Sequence, residues 1–151
     1  TLEVKIDRPL GSKHPKHGFI YPVNYGHISG VMGRDGREID AYLLGVFELV
    51  KEYEGRLIAV IQRYDDKEEE ILVVAPTFYN ADQVRALVEF QERWFKSFVA
   101  CCYEKPYWPD TFNPSLPEVQ KAIKAAVKCG KYSFSYLNII HYPFYLIIYL
   151  Y

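Results

Sequence analysis

Cysteine is scarce in this 151-residue chain, and the three present, Cys101, Cys102 and Cys129, form no C-x-x-C pair. Their spacing argues against a disulfide framework or a zinc site, and a sparse, odd count fits a reducing compartment. An excess of either charge is also missing. The 18 Lys and Arg against 19 Asp and Glu leave a formal net charge of -1. Nucleic acid is therefore not an expected partner, since it usually calls for a basic stripe, and neither is an acidic membrane surface. There is no P-loop, no G-x-G-x-x-G and no G-x-S-x-G, so nucleotide-cradling and serine-hydrolase chemistries lack a basis. No charged-then-apolar segment opens the sequence, and the expected location is the cytoplasm.

What is abundant is apolar and aromatic. Half of the residues are hydrophobic and 17% aromatic, with tyrosine leading, enough to build one domain around a core. Leu2, Val4 and Ile6 alternate with Glu3, Lys5 and Asp7, the period of a half-buried strand. The Gly- and Pro-rich stretch 9–18 reads as a loop, and Gly33 to Gly36 as a turn. Further strands are expected over 39–47, 57–62 and 71–75, with Tyr53-Glu54-Gly55 as a turn and 64–70 as an acidic connector. The period then changes. Asn80 can cap a helix with Gln83 as reciprocal partner, and Val84, Leu87, Val88, Phe95 and Phe98 share one helical face. Ser115 and Glu118 open a second helix, with Gly130 at its end. Several strands followed by two helices predict an α+β domain or a barrel with helices on its flank.

Residues 132–151 contain no Asp, Glu, Lys or Arg. Their length would suit a membrane span, yet Ser133, Ser135, Asn138, His141 and Pro143 interrupt them. Three readings stay open: an anchor, a segment packed on the domain or on a partner, or a disordered or non-native appendage. The chain is accordingly divided into a domain over 1–130 and an apolar, aromatic tail over 131–151, and no membrane association is expected.

Chemistry is concentrated at Asp35-Gly36-Arg37-Glu38-Ile39-Asp40, where a glycine turn carrying three acids enters a strand. Magnesium is usually held by one or two carboxylates together with phosphate and water. Taken alone, such turns are mostly solvated. Just upstream lies Tyr21-Pro22-Val23-Asn24-Tyr25-Gly26-His27-Ile28. The pairing of the two stretches at short separation, with Asp7-Arg8 before them, resembles the soluble inorganic pyrophosphatases from about Ile6 to Lys96. That family carries Tyr-Pro-x-Asn-Tyr-Gly-x-Ile and then a magnesium-binding Asp-Gly-Asp-x-x-Asp turn.

The resemblance implies a small closed OB-like β-barrel with two flanking C-terminal helices, and magnesium-dependent hydrolysis of pyrophosphate to phosphate. It implies Asp35, Asp40 and Asp65 or Asp66 as metal ligands, and Arg8, Tyr25 and Lys96 as groups on the phosphates. Tyr25, Asp40 and Arg8 are then the catalytic set, and a homo-oligomer is expected. Several positions depart from the pattern, among them the place near Ile71 where the family has a lysine. Arg37 stands where the family has a ligand aspartate. Trp94 replaces the tyrosine of a Tyr-Lys pair, and Lys96 is displaced from that pair by one residue, a helical rotation of about 100°. These departures keep two alternatives in view: action on another phosphate compound, or binding of a phosphate ligand or partner without catalysis. OB-like barrels also bind single-stranded nucleic acid, but the near-neutral charge weighs against that here.

Overall fold

The computed structural model describes residues 1–33, 35–64 and 70–102. The strands are β1 (Leu2–Arg8), β2 (Asn24–Met32), β3 (Glu38–Leu43), β4 (Glu52–Arg63), β5 (Glu70–Ala75) and β6 (Ser97–Cys101), with one helix, α1 (Ala81–Glu92), before β6. The sheet runs β1-β2-β3-β5-β4-β6, and a further pairing of β1 with β4 closes the first five strands into a barrel. This is the OB-like barrel expected from the sequence. The expected second helix and the tail lie outside the described residues.

β4 makes closure possible. Its first residues pair with β1 (Leu2↔Gly55, Lys5↔Glu52) and its last with β6 (Ala59↔Cys101, Arg63↔Ser97). β5 lies along it from Arg56 to Gln62. Tyr53-Glu54-Gly55 is therefore strand, not the turn expected from its composition. The glycine is there for space: a Cβ on Gly55 would come within 2.7 Å of Val74 Cγ1. β5 pairs parallel with β3 (Ala41↔Leu72, Leu43↔Val74), and every residue of it is buried, as expected of a strand covered on both faces.

The two faces feed two apolar clusters. One contains Val4, Ile28, Ile39, Leu43, Val60, Leu72 and Val74, drawn from all five barrel strands. The other gathers Tyr42, Ile58, Ile61, Ile71, Val73 and Val99 with Val84 and Val88 of α1. Helix α1 opens on the expected capping box: Asn80 accepts from the Gln83 backbone at 2.8 Å, and the Gln83 side chain accepts from Asn80 N at 2.9 Å. It stops at Glu92 rather than running on through Phe95 and Phe98. Phe95 N turns back to the Glu92 carbonyl at 3.0 Å, and Phe98 pairs with Gln62 in β6. Strand pairing with β4 thus outweighs the helical spacing of those aromatics. Among the described residues, no helix is long and apolar enough to cross a membrane.

Candidate functional site

The motif beginning at Tyr21 lies on β2 and its approach, and its Asn24 and Gly26 each have a physical reason here. Asn24 is fully buried. Its Nδ2 donates to the carbonyls of Val46 (2.9 Å) and Glu48 (3.1 Å), and its Oδ1 accepts from Leu10 N (2.9 Å). One amide thus ties the loop after β1 to the loop after β3. At Gly26 a Cβ would stand 1.7 Å from the Lys5 carbonyl oxygen, so only glycine lets β1 and β2 pair there. The ladder slips between Ile6 and Arg8, leaving Arg8 opposite Tyr25. A bulge of this kind re-aims a side chain.

The result is a cleft of about 720 Å³ whose lining includes Arg8, Tyr25, Arg37, Asp40, Arg63 and Lys16. The Tyr25 hydroxyl donates to Asp40 Oδ2 at 2.7 Å. Burial, the largest influence, raises the Asp40 carboxyl above the ordinary carboxylate range, while the Tyr25 hydrogen bond and nearby Arg63 pull it back down. Asp40 is thereby a carboxylate of raised basicity that still faces the cleft.

Beneath it lies a buried ionic group. Arg63 donates from Nε to Glu92 Oε2 (3.0 Å) and from a terminal nitrogen to Glu92 Oε1 (2.6 Å). The Tyr42 hydroxyl donates to the same Oε1 at 2.7 Å. Both charged side chains are about 5% exposed or less. The Arg63 guanidinium also sits 3.7 Å over the Phe95 ring, a geometry that favours a cation. Burial and the Glu92 charge push the Tyr42 phenol well above its ordinary value. Tyr42 therefore stays a proton donor to Glu92.

The loop 9–20 forms a small hairpin over the cleft. Gly11 N donates to the Tyr21 carbonyl (2.7 Å), Tyr21 N to the Ser12 carbonyl (2.9 Å) and His14 N to the Phe19 carbonyl (2.8 Å). His14 Nδ1 accepts from the backbone nitrogens of Lys16 and His17, at 3.1 and 3.0 Å. That nitrogen is therefore unprotonated. Burial first, then the charges of His17, Arg8 and Lys16, hold the imidazole below its ordinary value. The hairpin in this way presents Lys16 to the cleft from a fixed scaffold.

Of the residues singled out from the sequence, Arg8, Tyr25 and Asp40 come together. Asp35 does not line the cleft. It is an exposed turn residue whose Oδ1 accepts from Arg37 N at 2.9 Å and whose Oδ2 lies 3.7 Å from Arg37 Nε. Lys96 is exposed beyond α1, outside the lining, with its carbonyl accepting from Tyr64 N at 2.8 Å. Trp94, 71% exposed, is turned to solvent. Asp65 and Asp66 lie outside the described residues. Arg63, Glu92 and Tyr42 went unrecognised. Their signals were a charge ending the apolar run of β4 and an acid one turn beyond Val88 on the apolar face of α1.

Relatives give this geometry a context. No family model matches the chain. A curated relative, an inorganic pyrophosphatase from Saccharolobus solfataricus, is 32% identical over 95 residues, covering 57% of this chain and 52% of the relative. The chain thus spans about half the length of the curated relative it matches. The crystal structure of an inorganic pyrophosphatase from Ehrlichia chaffeensis superposes with a TM-score of 0.55 at 15% identity, over 82% of this chain and 91% of that one.

In its barrel fold, and in sequence over 95 residues, this chain is similar to the soluble inorganic pyrophosphatases.

The cleft departs at Arg37 from the motif that the resemblance implies. The resemblance implies divalent metal, so the donor set matters. Among the described residues, no group of three His, Cys, Asp or Glu is placed to hold a metal ion. In the turn 35–40, Arg37 shares the cleft with Asp40, while Asp35 is engaged with Arg37. A guanidinium cannot ligate a cation and repels it. By themselves, then, the described residues do not make the metal cluster that the resemblance implies, and Arg37 stands at one of its positions.

Proposed function

We propose that this cleft binds inorganic pyrophosphate and hydrolyses it to phosphate. The observation that carries the reading is the convergence of Arg8, Tyr25 and Asp40 in one cleft, from three strands, with Lys16, Arg37 and Arg63 around them. The partial sequence similarity to an inorganic pyrophosphatase supports the substrate class.

Phosphoryl transfer to water asks a protein mainly to position groups and offset charge. The cationic side chains meet the phosphate oxygens. Arginine suits this role because its planar fork matches two oxygens at once. Asp40, ionised and of raised basicity, accepts a proton from the attacking water. The water oxygen bonds to one phosphorus, the bridging P–O bond breaks, and the second phosphate leaves among the cations. Tyr25 holds the carboxylate in place through its hydroxyl. No step here is routed through magnesium, and the assay below measures whether turnover depends on it.

The decisive experiment is phosphate release from pyrophosphate, with and without magnesium, by the wild type and by Asp40→Asn. Turnover lost in the variant supports the reading. Equal turnover in the two sinks it. Arg37 favours a second reading, in which the cleft binds a phosphate compound without cleaving it. Calorimetric binding of pyrophosphate with no phosphate released would select that one.

A further inference from the structure

The turn between β2 and β3 brings a positive charge to the cleft. Arg37 is held from two sides of one carboxylate: its backbone nitrogen donates to Asp35 Oδ1 at 2.9 Å, and its Nε lies 3.7 Å from Asp35 Oδ2. The turn is closed behind it by Gly33 N donating to the Arg37 carbonyl at 2.6 Å, with Gly36 at a φ of 78°. Asp35 thus fixes the backbone of the turn at Arg37, whose guanidinium is itself 87% exposed. Two more cations reach the same cleft from separate elements, Arg8 from β1 and Lys16 from the loop hairpin. Arg63 adds a fourth from the end of β4, matched from below by Glu92. Against these, the described lining supplies two carboxylates, Asp7 and Asp40. Asp7 is engaged by His27 Nδ1 at 2.7 Å, and Asp40 by the Tyr25 hydroxyl.

A phosphate anhydride entering this space meets cations from three separate elements, whereas a divalent ion meets Arg37. We infer that Arg37, with Arg8 and Lys16, neutralises the phosphate oxygens directly, so that the cleft holds pyrophosphate without a divalent metal ion. This rests on the reading that the cleft is the phosphate site. It adds that built-in guanidinium and ammonium groups occupy the role a metal would otherwise fill. The planar fork of each arginine matches two phosphate oxygens at once, which favours such a substitution.

The test is titration calorimetry of the full chain with pyrophosphate in excess EDTA, repeated with magnesium. The expected result is saturable one-to-one binding in EDTA, weakened roughly tenfold by Arg37→Ala and by Lys16→Ala, the scale of one lost charge-assisted contact. Arg37→Asp should abolish binding in EDTA. Because Arg37 is exposed, these variants should fold, which thermal melts monitor. Binding that appears only with magnesium overturns the inference and leaves the cleft as the phosphate site. Binding in EDTA that ignores both alanine variants also overturns it, since the anion then sits elsewhere. Binding under neither condition overturns both the inference and the reading beneath it.

Discussion

Replacing Glu92 by alanine probes the layer that joins the barrel to α1. Glu92 receives two bonds from Arg63 and one from Tyr42, all from residues less than a tenth exposed. Breaking a buried ion pair by removing one partner costs about 3–5 kcal/mol, because the remaining charge has been taken out of water without compensation. Leaving a buried hydroxyl without its acceptor costs about 1–3 kcal/mol. The two losses overlap in one site, so they should not be added in full. Glu92→Ala is expected to lose about 4 kcal/mol, a large share of the roughly 5–15 kcal/mol that holds a domain together. Urea unfolding measures it, as a lower midpoint at unchanged slope. A second chain carrying Arg63→Met, Glu92→Leu and Tyr42→Phe replaces the whole polar group by apolar side chains. It should recover most of that loss, since buried ionic groups often exchange for packed apolar ones at little net cost. A loss below about 1 kcal/mol in Glu92→Ala would refute the reasoning, because the Arg63–Glu92 bonds could then not be buried as described.

Three further outcomes follow from the site. Burial holds the Asp40 carboxyl of the folded chain above its ordinary value, so between the unfolded and folded values the folded chain binds more protons and stability falls as pH rises. Asp40→Asn should therefore be at least as stable as the wild type near neutral pH, in thermal melts, while losing turnover. For the same reason the acid limb of phosphate release should sit above the ordinary carboxylate range, and Tyr25→Phe, which removes a bond that favours the ionised form, should move that limb to higher pH. Gly26→Ala should destabilise the barrel by about 3 kcal/mol or more, the upper end for overpacking, because the added carbon would stand 1.7 Å from a backbone oxygen. A soluble, fully folded Gly26→Ala chain with unchanged urea midpoint would contradict the β1–β2 register.

The parts of this fold legible in the sequence are those written in local pattern. Alternation of Leu2, Val4 and Ile6 announced β1, and Asn80 with Gln83 announced the start of α1. The parts that were hidden depend on distant partners. Tyr53-Glu54-Gly55 has turn composition, yet pairing with β1 and packing on Val74 make it strand. Phe95 and Phe98 keep a helical spacing, but β4 recruits Phe98 into β6. The site divides in the same way. Arg8, Tyr25 and Asp40 were carried by motifs, and the structure joins them through a bulge and a cross-strand hydrogen bond. Asp35 belongs to the same motif, but its carboxylate is engaged with Arg37, a substitution whose geometric effect no spacing could reveal. Arg63 and Glu92 lie 29 residues apart, and neither carries a motif that would pair them before the fold does.

The rate at which the full chain releases phosphate from pyrophosphate, compared with Arg8→Ala, is the most direct measure of hydrolysis in this cleft. Wild-type release, reduced by a factor of about 100 or more on losing that guanidinium, is the predicted result. A wild type that releases no phosphate, or an Arg8→Ala chain that releases it just as fast, would contradict the assignment of hydrolysis to this cleft.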